Sequence, residues 1–278
     1  MITIENKTFG EERALYGSNE ITLINCRFDG DEDGESALKE SRHINIKDCV
    51  CNLRYPFWHD NFVDIRNTLF TENCRAALWY SNHVDIHGSK LFGTKALRES
   101  SDVIIKNCDI VSSEFGWRLD DVRIESCQAQ GEYLLLGSQK ICMYDTEFSG
   151  KYSLQYVTDA IIENCVLNTK DALWHAKNVT IKNSVINGEY LGWYSENLTF
   201  INCKISGTQP LCYCKNLEFF HCELNRADLA FERSDVKATL TAPIISIKNA
   251  YSGYIECPAV DEIICDDPNA KCDIRITK

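Results

Sequence analysis

The feature that most constrains this chain is a repeat. With Ser184 as the marker, small residues recur at Cys26, Cys49, Thr68, Ser89, Cys108, Cys127, Thr146, Cys165, Cys203 and Cys222, and from Ser89 onward each step is 19 residues. Apolar residues alternate before each marker (Val103 and Ile105, Val122 and Ile124, Val179 and Ile181), which is the period of a half-buried strand. Asn25, Asn67, Asn107, Asn164, Asn183 and Asn202, with Asp48 and Asp145 substituting, fill the position before the marker. A short amide or carboxylate there tolerates left-handed backbone angles and bonds to nearby main chain, so these residues predict a turn and, when stacked, an asparagine ladder. Gly30, Gly93, Gly131, Gly150, Gly188 and Gly207 mark a second turn, and a third strand is expected through the tryptophans. Three short strands and three turns per repeat predict an all-β fold, a single-stranded parallel β-helix of about twelve 19-residue coils.

The repeat runs through nearly all 278 residues, so one domain is expected over 1–278: an N-terminal cap and degenerate coil over 1–19, regular coils over 20–235, and C-terminal cap strands over 236–278. The first residues lack a basic segment followed by an apolar core, and no stretch approaches the roughly 18 apolar residues of a membrane span. A cytoplasmic protein is expected. The formal charge of −12 opposes nucleic acid and anionic membranes as partners, because phosphate contacts rest on Lys and Arg. Seven of the fifteen cysteines occupy the marker column, alternating with Ser and Thr. That pattern reads as reduced, buried small residues rather than a disulfide scaffold, and Cys49–Cys51 and Cys212–Cys214 lack a second pair at zinc spacing.

The segment after Cys26 is longer than its equivalents and acidic. Asp29, Asp31, Asp33, Gly34 and Glu40 fall at positions 1, 3, 5, 6 and 12 of an EF-hand loop, which allows calcium; flanking strands in place of helices allow a plain solvated loop instead. No other cofactor is expected.

All five tryptophans fall in one column, Trp58, Trp79, Trp117, Trp174 and Trp193, which also holds Lys39, Arg98, Gln155 and Cys212. The next residue along gives a second column: Glu40, His59, Tyr80, Glu99, Arg118, Tyr156, His175, Tyr194 and Tyr213. Small or apolar residues two before the tryptophans favour indoles turned inward and the His/Tyr/Glu row turned outward, whereas Lys39, Arg98 and Gln155 favour the reverse.

The phrases R-Y-P-F-W-H-D (54–60), C-R-A-A-L-W-Y-S (74–81), D-A-L-W-H-A-K-N (171–178) and G-E-Y-L-G-W-Y-S-E-N (188–197) resemble those of a bacterial family of unknown function grouped with the pectate-lyase-like right-handed β-helices. The resemblance spans essentially the whole chain. It implies right-handedness and, from the wider superfamily, carbohydrate chemistry on one outer face, but no established reaction. Asp120-Asp121 is present without the G-H-G or R-I-K motifs of polygalacturonases.

Candidate catalytic residues are therefore Glu99, His59 and Arg118, a set able to move protons around a sugar if the enzyme is lyase- or hydrolase-like. Glu40, Trp58, Trp79, Tyr80, Arg98, Trp117, Tyr156, Trp174, His175 and Tyr194 are candidate ligand-binding residues, with Arg98 and Arg118 as a clamp for an anionic or polyhydroxylated ligand. The plain alternative is a charged ladder in which Glu99 pairs with Arg118. Binding without catalysis, and a protein-interaction or homo-oligomeric scaffold, are the other two functional readings.

Overall fold

The computed structural model describes residues 2–30 and 34–277. The chain divides into two compact units, residues 1–140 and 141–278. Each is a stack of parallel coils, and no helix occurs among the described residues.

In the first unit, Ile2–Glu5, Asn19–Ile24, Arg42–Lys47, Asn61–Arg66, Asn82–His87, Ser101–Lys106 and Asp120–Glu125 pair in that order as one parallel sheet. Val84 lies opposite Val103 and Ile86 opposite Ile105, so the 19-residue spacing is the hydrogen-bond register itself. Alternation then decides which side is wet: Val103 and Ile105 are at most 1% exposed while Asp102 and Asn107 face water. A second sheet stacks shorter strands such as Lys90–Leu91 and Asp109–Val111, with Leu91 and Ile110 inward. In the second unit, Thr158–Glu163, Lys177–Lys182, Glu196–Ile201, Lys215–Asn225, Asp235–Leu240, Ser252–Cys257 and Asp273–Ile276 pair in that order as a parallel sheet.

The turn before each marker is as expected: Asn25, Asp48, Asn67, Asn107, Asp145, Asn164, Asn183 and Asn202 all have φ between 45° and 55°. Their side chains bond from rung to rung, for example Asn25 to Asn6 at 2.6 Å and Asn164 to Asp145 at 3.2 Å. The marker column is selected by more than size. Its side chain accepts the amide N–H of the marker one coil earlier, as Ser184 Oγ does from Cys165 at 3.0 Å and Cys127 Sγ from Cys108 at 3.4 Å. It also donates to the carbonyl two residues back, Ser184 to Lys182 at 2.6 Å. Ser, Thr and Cys share that donor–acceptor capacity, which is why they interchange. Gly188 is fixed by contact: a Cβ there would lie 1.4 Å from the Thr169 carbonyl oxygen.

Three expectations need correction. The third strand forms at Phe57–Trp58, Leu78–Trp79 and Leu97–Arg98, with a bridge to Trp117, and again at Ile244–Lys248, which bridges to Ala230 and pairs with Val260–Ile264. Elsewhere this face is a turn with left-handed residues at alternate positions, such as Tyr152, Leu154 and Tyr156. That winding turns two successive residues inward, so Ala172 and Leu173 are both buried, which no strand alternation allows. Next, residues 2–9 are no cap: Ile2–Glu5 and Thr8–Phe9 pair in register as a full first coil. Residues 236–277 likewise form further coils, in which Val236 pairs with Gly253 at a 17-residue step. The described residues therefore make about 14 turns rather than twelve.

All fifteen cysteines are free, and only Cys142, Cys265 and Cys272 escape full burial. Burial pushes the Cys212 and Cys214 thiols up to about 12 and raises Cys51 well above the usual thiol range.

Candidate functional site

The tryptophan column and the row beside it form one corner of each unit. The row turns outward: Tyr80, Tyr156 and Tyr194 are exposed, and every member from Glu40 to Arg118 and from Tyr156 to Tyr213 has a left-handed φ of 46–61°. The tryptophans are half-buried beneath it, neither wholly inward nor outward.

In the first unit the column sets two cations, Lys39 and Arg98, among three indoles. Lys39 Nζ lies 4.9 Å from the Trp58 ring centre, Trp58 stacks on Trp79 at 5.5 Å, and the Arg98 guanidinium sits 5.1 Å from Trp79 and 4.9 Å from Trp117. Two cations that looked misplaced in a half-buried column are thus accommodated by ring faces, at about 0.5–2 kcal/mol per contact. Arg98 is only 8% exposed, so it is spent within the stack and cannot serve as the open half of an arginine clamp. In the second unit, Gln155 donates to the Asp171 carbonyl at 2.7 Å, as Trp174 does to Tyr190 at 2.6 Å and Trp193 to Gln209 at 2.8 Å. Gln155 therefore replaces an indole through a shared donor rather than a shared shape.

In the outward row of the first unit, Tyr16 donates to Glu40 at 2.6 Å, His59 stacks on Tyr80 at 5.0 Å, and Glu99 lies 3.6 Å from Arg118 and 3.7 Å from Arg98. Burial raises the Glu99 pKa, but the Tyr80 hydroxyl and the two guanidinium groups outweigh it and hold the carboxyl below its usual range. Such a group is a settled anion, the wrong state for a general acid and a weak general base at neutral pH. Tyr80, stacked on His59, stands on the rung between His59 and Glu99, so the candidate catalytic set is a ladder and an ion pair rather than a converging site. In the second unit the row is continuous: Tyr156, His175, Tyr194 and Tyr213 stack with centroids 4.9, 5.2 and 5.0 Å apart. Ring faces are used on one another, and ring edges meet solvent.

Of the candidate calcium ligands, Asp31 and Asp33 lie outside the described residues. Asp29 accepts from Asn52 at 2.9 Å and Arg27 at 3.0 Å, and those bonds, Asn52 first, lower its pKa. Glu40 is held by Tyr16. Among the described residues no three His, Cys, Asp or Glu side chains group as a metal site.

Two features escaped the sequence reading. Asp60, fully buried, stands in a column of serines (Ser41, Ser81, Ser100), which is the signal that could have found it. On the outer face of the first sheet, His43, Phe62 and His83 stack at 4.7 and 4.5 Å, and His83 Nδ1 bonds Asp102. Beside this stack lies a shallow cleft of about 310 Å³ lined by His43, Asn45, Phe62, Asp64, His83 and Asp85.

The model of the family described as "Protein of unknown function (DUF3737)" matches residues 2–277, and the chain belongs to that family. No curated protein matches the sequence. Among solved structures, the chain is similar to the Azotobacter vinelandii mannuronan C-5 epimerase AlgE4 A-module, at 8% identity and a TM-score of 0.34, covering 98% of this chain and 87% of the other. It is also similar to a trypsin-treated variant of QnrB1, a plasmid-mediated fluoroquinolone resistance protein, at 13% identity and a TM-score of 0.22, covering 74% and 82%. Scores this low carry no argument about function.

Proposed function

We propose that this family member binds an extended, polyhydroxylated chain, an oligosaccharide, along the outward corner row of its second unit, without turning it over. The observation that carries this reading is the row Tyr156–His175–Tyr194–Tyr213, whose four polar ring edges repeat at 4.9–5.2 Å along one line. Phenol and imidazole edges offer both donors and acceptors, which suits hydroxyls presented at a regular interval. Tyr156 is 55% and Tyr194 48% exposed, a large display of aromatic surface for groups with no packing duty towards the core. The settled state of Glu99 favours binding over catalysis.

The test is titration with neutral oligosaccharides. Tyr156→Ala and Tyr194→Ala are each expected to weaken binding by roughly fivefold, as loss of about 1 kcal/mol of aromatic contact implies. Glu99→Gln should leave affinity unchanged. Equal affinity in all three variants would remove the row as a binding surface. The same exposed rings also support a protein-docking scaffold. That reading predicts no sugar binding, and a changed size in solution when Tyr156 or Tyr194 is replaced by Lys.

A further inference from the structure

We infer that the first unit carries a second, separate ligand site on the outer face of its first sheet, which takes a single sugar ring bearing an ammonium group rather than a carboxylate. The column that holds His43, Phe62 and His83 has a default occupant elsewhere in the same chain. In the second unit the equivalent positions are Asp159, Asn178, Asn197 and Asn216, bonded amide to amide or carboxylate at 2.9, 2.8 and 2.9 Å. Those residues suit a left-handed backbone position and satisfy one another there. The first unit instead places His43, Phe62 and His83 at φ 53°, 58° and 54°. Phe62 cannot join a hydrogen-bonded ladder and is 44% exposed, so here amide bonds are exchanged for ring stacking without gaining burial, with a rung-to-rung bond kept between His83 and Asp102. The rings stack on one another yet leave an aromatic surface open to water, which a ligand can use.

The cleft beside them has two unlike walls. One is the ring stack. The other is Asn45, Asp64 and Asp85, aligned in register on three neighbouring strands. A volume of about 310 Å³ is at the small end for ligand pockets and fits one pyranose, whose C–H surface suits the aromatic wall and whose hydroxyls suit the polar one. Charge narrows the choice. Arg66 is committed to both carboxylates, with Nε 2.6 Å from Asp64 and Nη2 3.1 Å from Asp85, and His87 Nε2 lies 3.1 Å from Asp85. Two carboxylates against one guanidinium leave the polar wall net negative, and Asp102 behind His83 adds to that field. An ammonium near one uncompensated charge in water gains a preference of about fivefold over a neutral ring, and a carboxylate is disfavoured similarly.

This site does not depend on the corner row, and its test separates the two. Glucosamine, glucose and glucuronate are titrated into the full chain at low salt, with binding read from the ring resonances of His43, Phe62 and His83. Glucosamine is expected to bind about fivefold more tightly than glucose, with glucuronate weakest. Phe62→Asn, which installs the residue that the second unit uses at this backbone angle, should fold and lose glucosamine binding at least tenfold. Asp85→Asn should abolish the preference for glucosamine over glucose. Tyr194→Ala should change none of these values. Equal binding of glucuronate and glucosamine, or unchanged glucosamine binding in Phe62→Asn, would overturn the inference.

Discussion

Asp60 offers the sharpest quantitative prediction. It is wholly buried, its carboxylate accepts the Ser41 amide at 2.7 Å, and its Oδ2 has no hydrogen-bond partner. Burial pushes its pKa from 3.8 up to about 8. The native state therefore keeps a proton that the unfolded chain releases, and the sign follows from linkage: between pH 3.8 and about 8 the folded state binds more protons, so stability falls as pH rises through that window. At pH 7 the solution is about three pH units above the unfolded pKa of 3.8, which at about 1.36 kcal/mol per unit amounts to at most roughly 4 kcal/mol. Asp60→Ser removes the titrating group and restores the hydroxyl found at Ser41, Ser81 and Ser100. Coils touch mainly their neighbours, so the effect is expected locally. Hydrogen exchange of the amides between Ser41 and Ser81, corrected for intrinsic rates, should show wild-type protection falling from pH 4 to pH 8 and Asp60→Ser protection nearly flat. The variant should be the more protected at pH 7, and the two should converge near pH 4. Parallel pH profiles in the two proteins would refute the argument that Asp60 is held protonated.

Other predictions concern the ladders and the cysteines. Ser184→Ala should lower stability by about 1–2 kcal/mol, because it strips the Cys165 amide of its acceptor, while Ser184→Cys should be nearly neutral; urea unfolding of both variants decides this. Arg98→Ala should cost roughly 2 kcal/mol through two lost ring contacts, and Arg98→Gln less than half of that if Gln155 is a fair guide to what the column accepts; thermal melts read both. Gly188→Ala should disrupt the second unit, since its Cβ would overlap the Thr169 carbonyl, and circular dichroism should show lost strand content. Mass spectrometry after alkylation of the denatured protein should find the twelve buried thiols unpaired, with a native disulfide in the marker column as the contrary result.

What could be read from the sequence followed from periodicity, and what could not followed from backbone winding. The marker column, the left-handed asparagines and the inward Val and Ile residues all repeat on a 19-residue step, and a stacked fold converts that step directly into register. The corner face does not obey a period of two. Left-handed residues at alternate positions bury both Ala172 and Leu173, so a strand-based reading could not decide how far the tryptophans point inward. The outward row was still recognisable, because Tyr156, His175 and Tyr194 share a column that no apolar core would hold. Arg98 misled as a ligand clamp because a cation between two indoles looks the same in sequence whether it faces a ligand or a ring. The His43–Phe62–His83 stack was hidden for a similar reason: only comparison with the amide ladder at Asn178 and Asn197 shows that rings are out of place there.

The central claim, a binding row four rungs long on the second unit, is tested most directly by the dependence of affinity on ligand length. Neutral oligosaccharides of one to six units, titrated calorimetrically, should bind progressively more tightly up to about four units and then level off, as the row ends at Tyr213. The Tyr156→Ala/Tyr194→Ala double variant should lose that dependence. Affinity that is the same for one unit as for four, or a length dependence that survives in the double variant, would contradict the account.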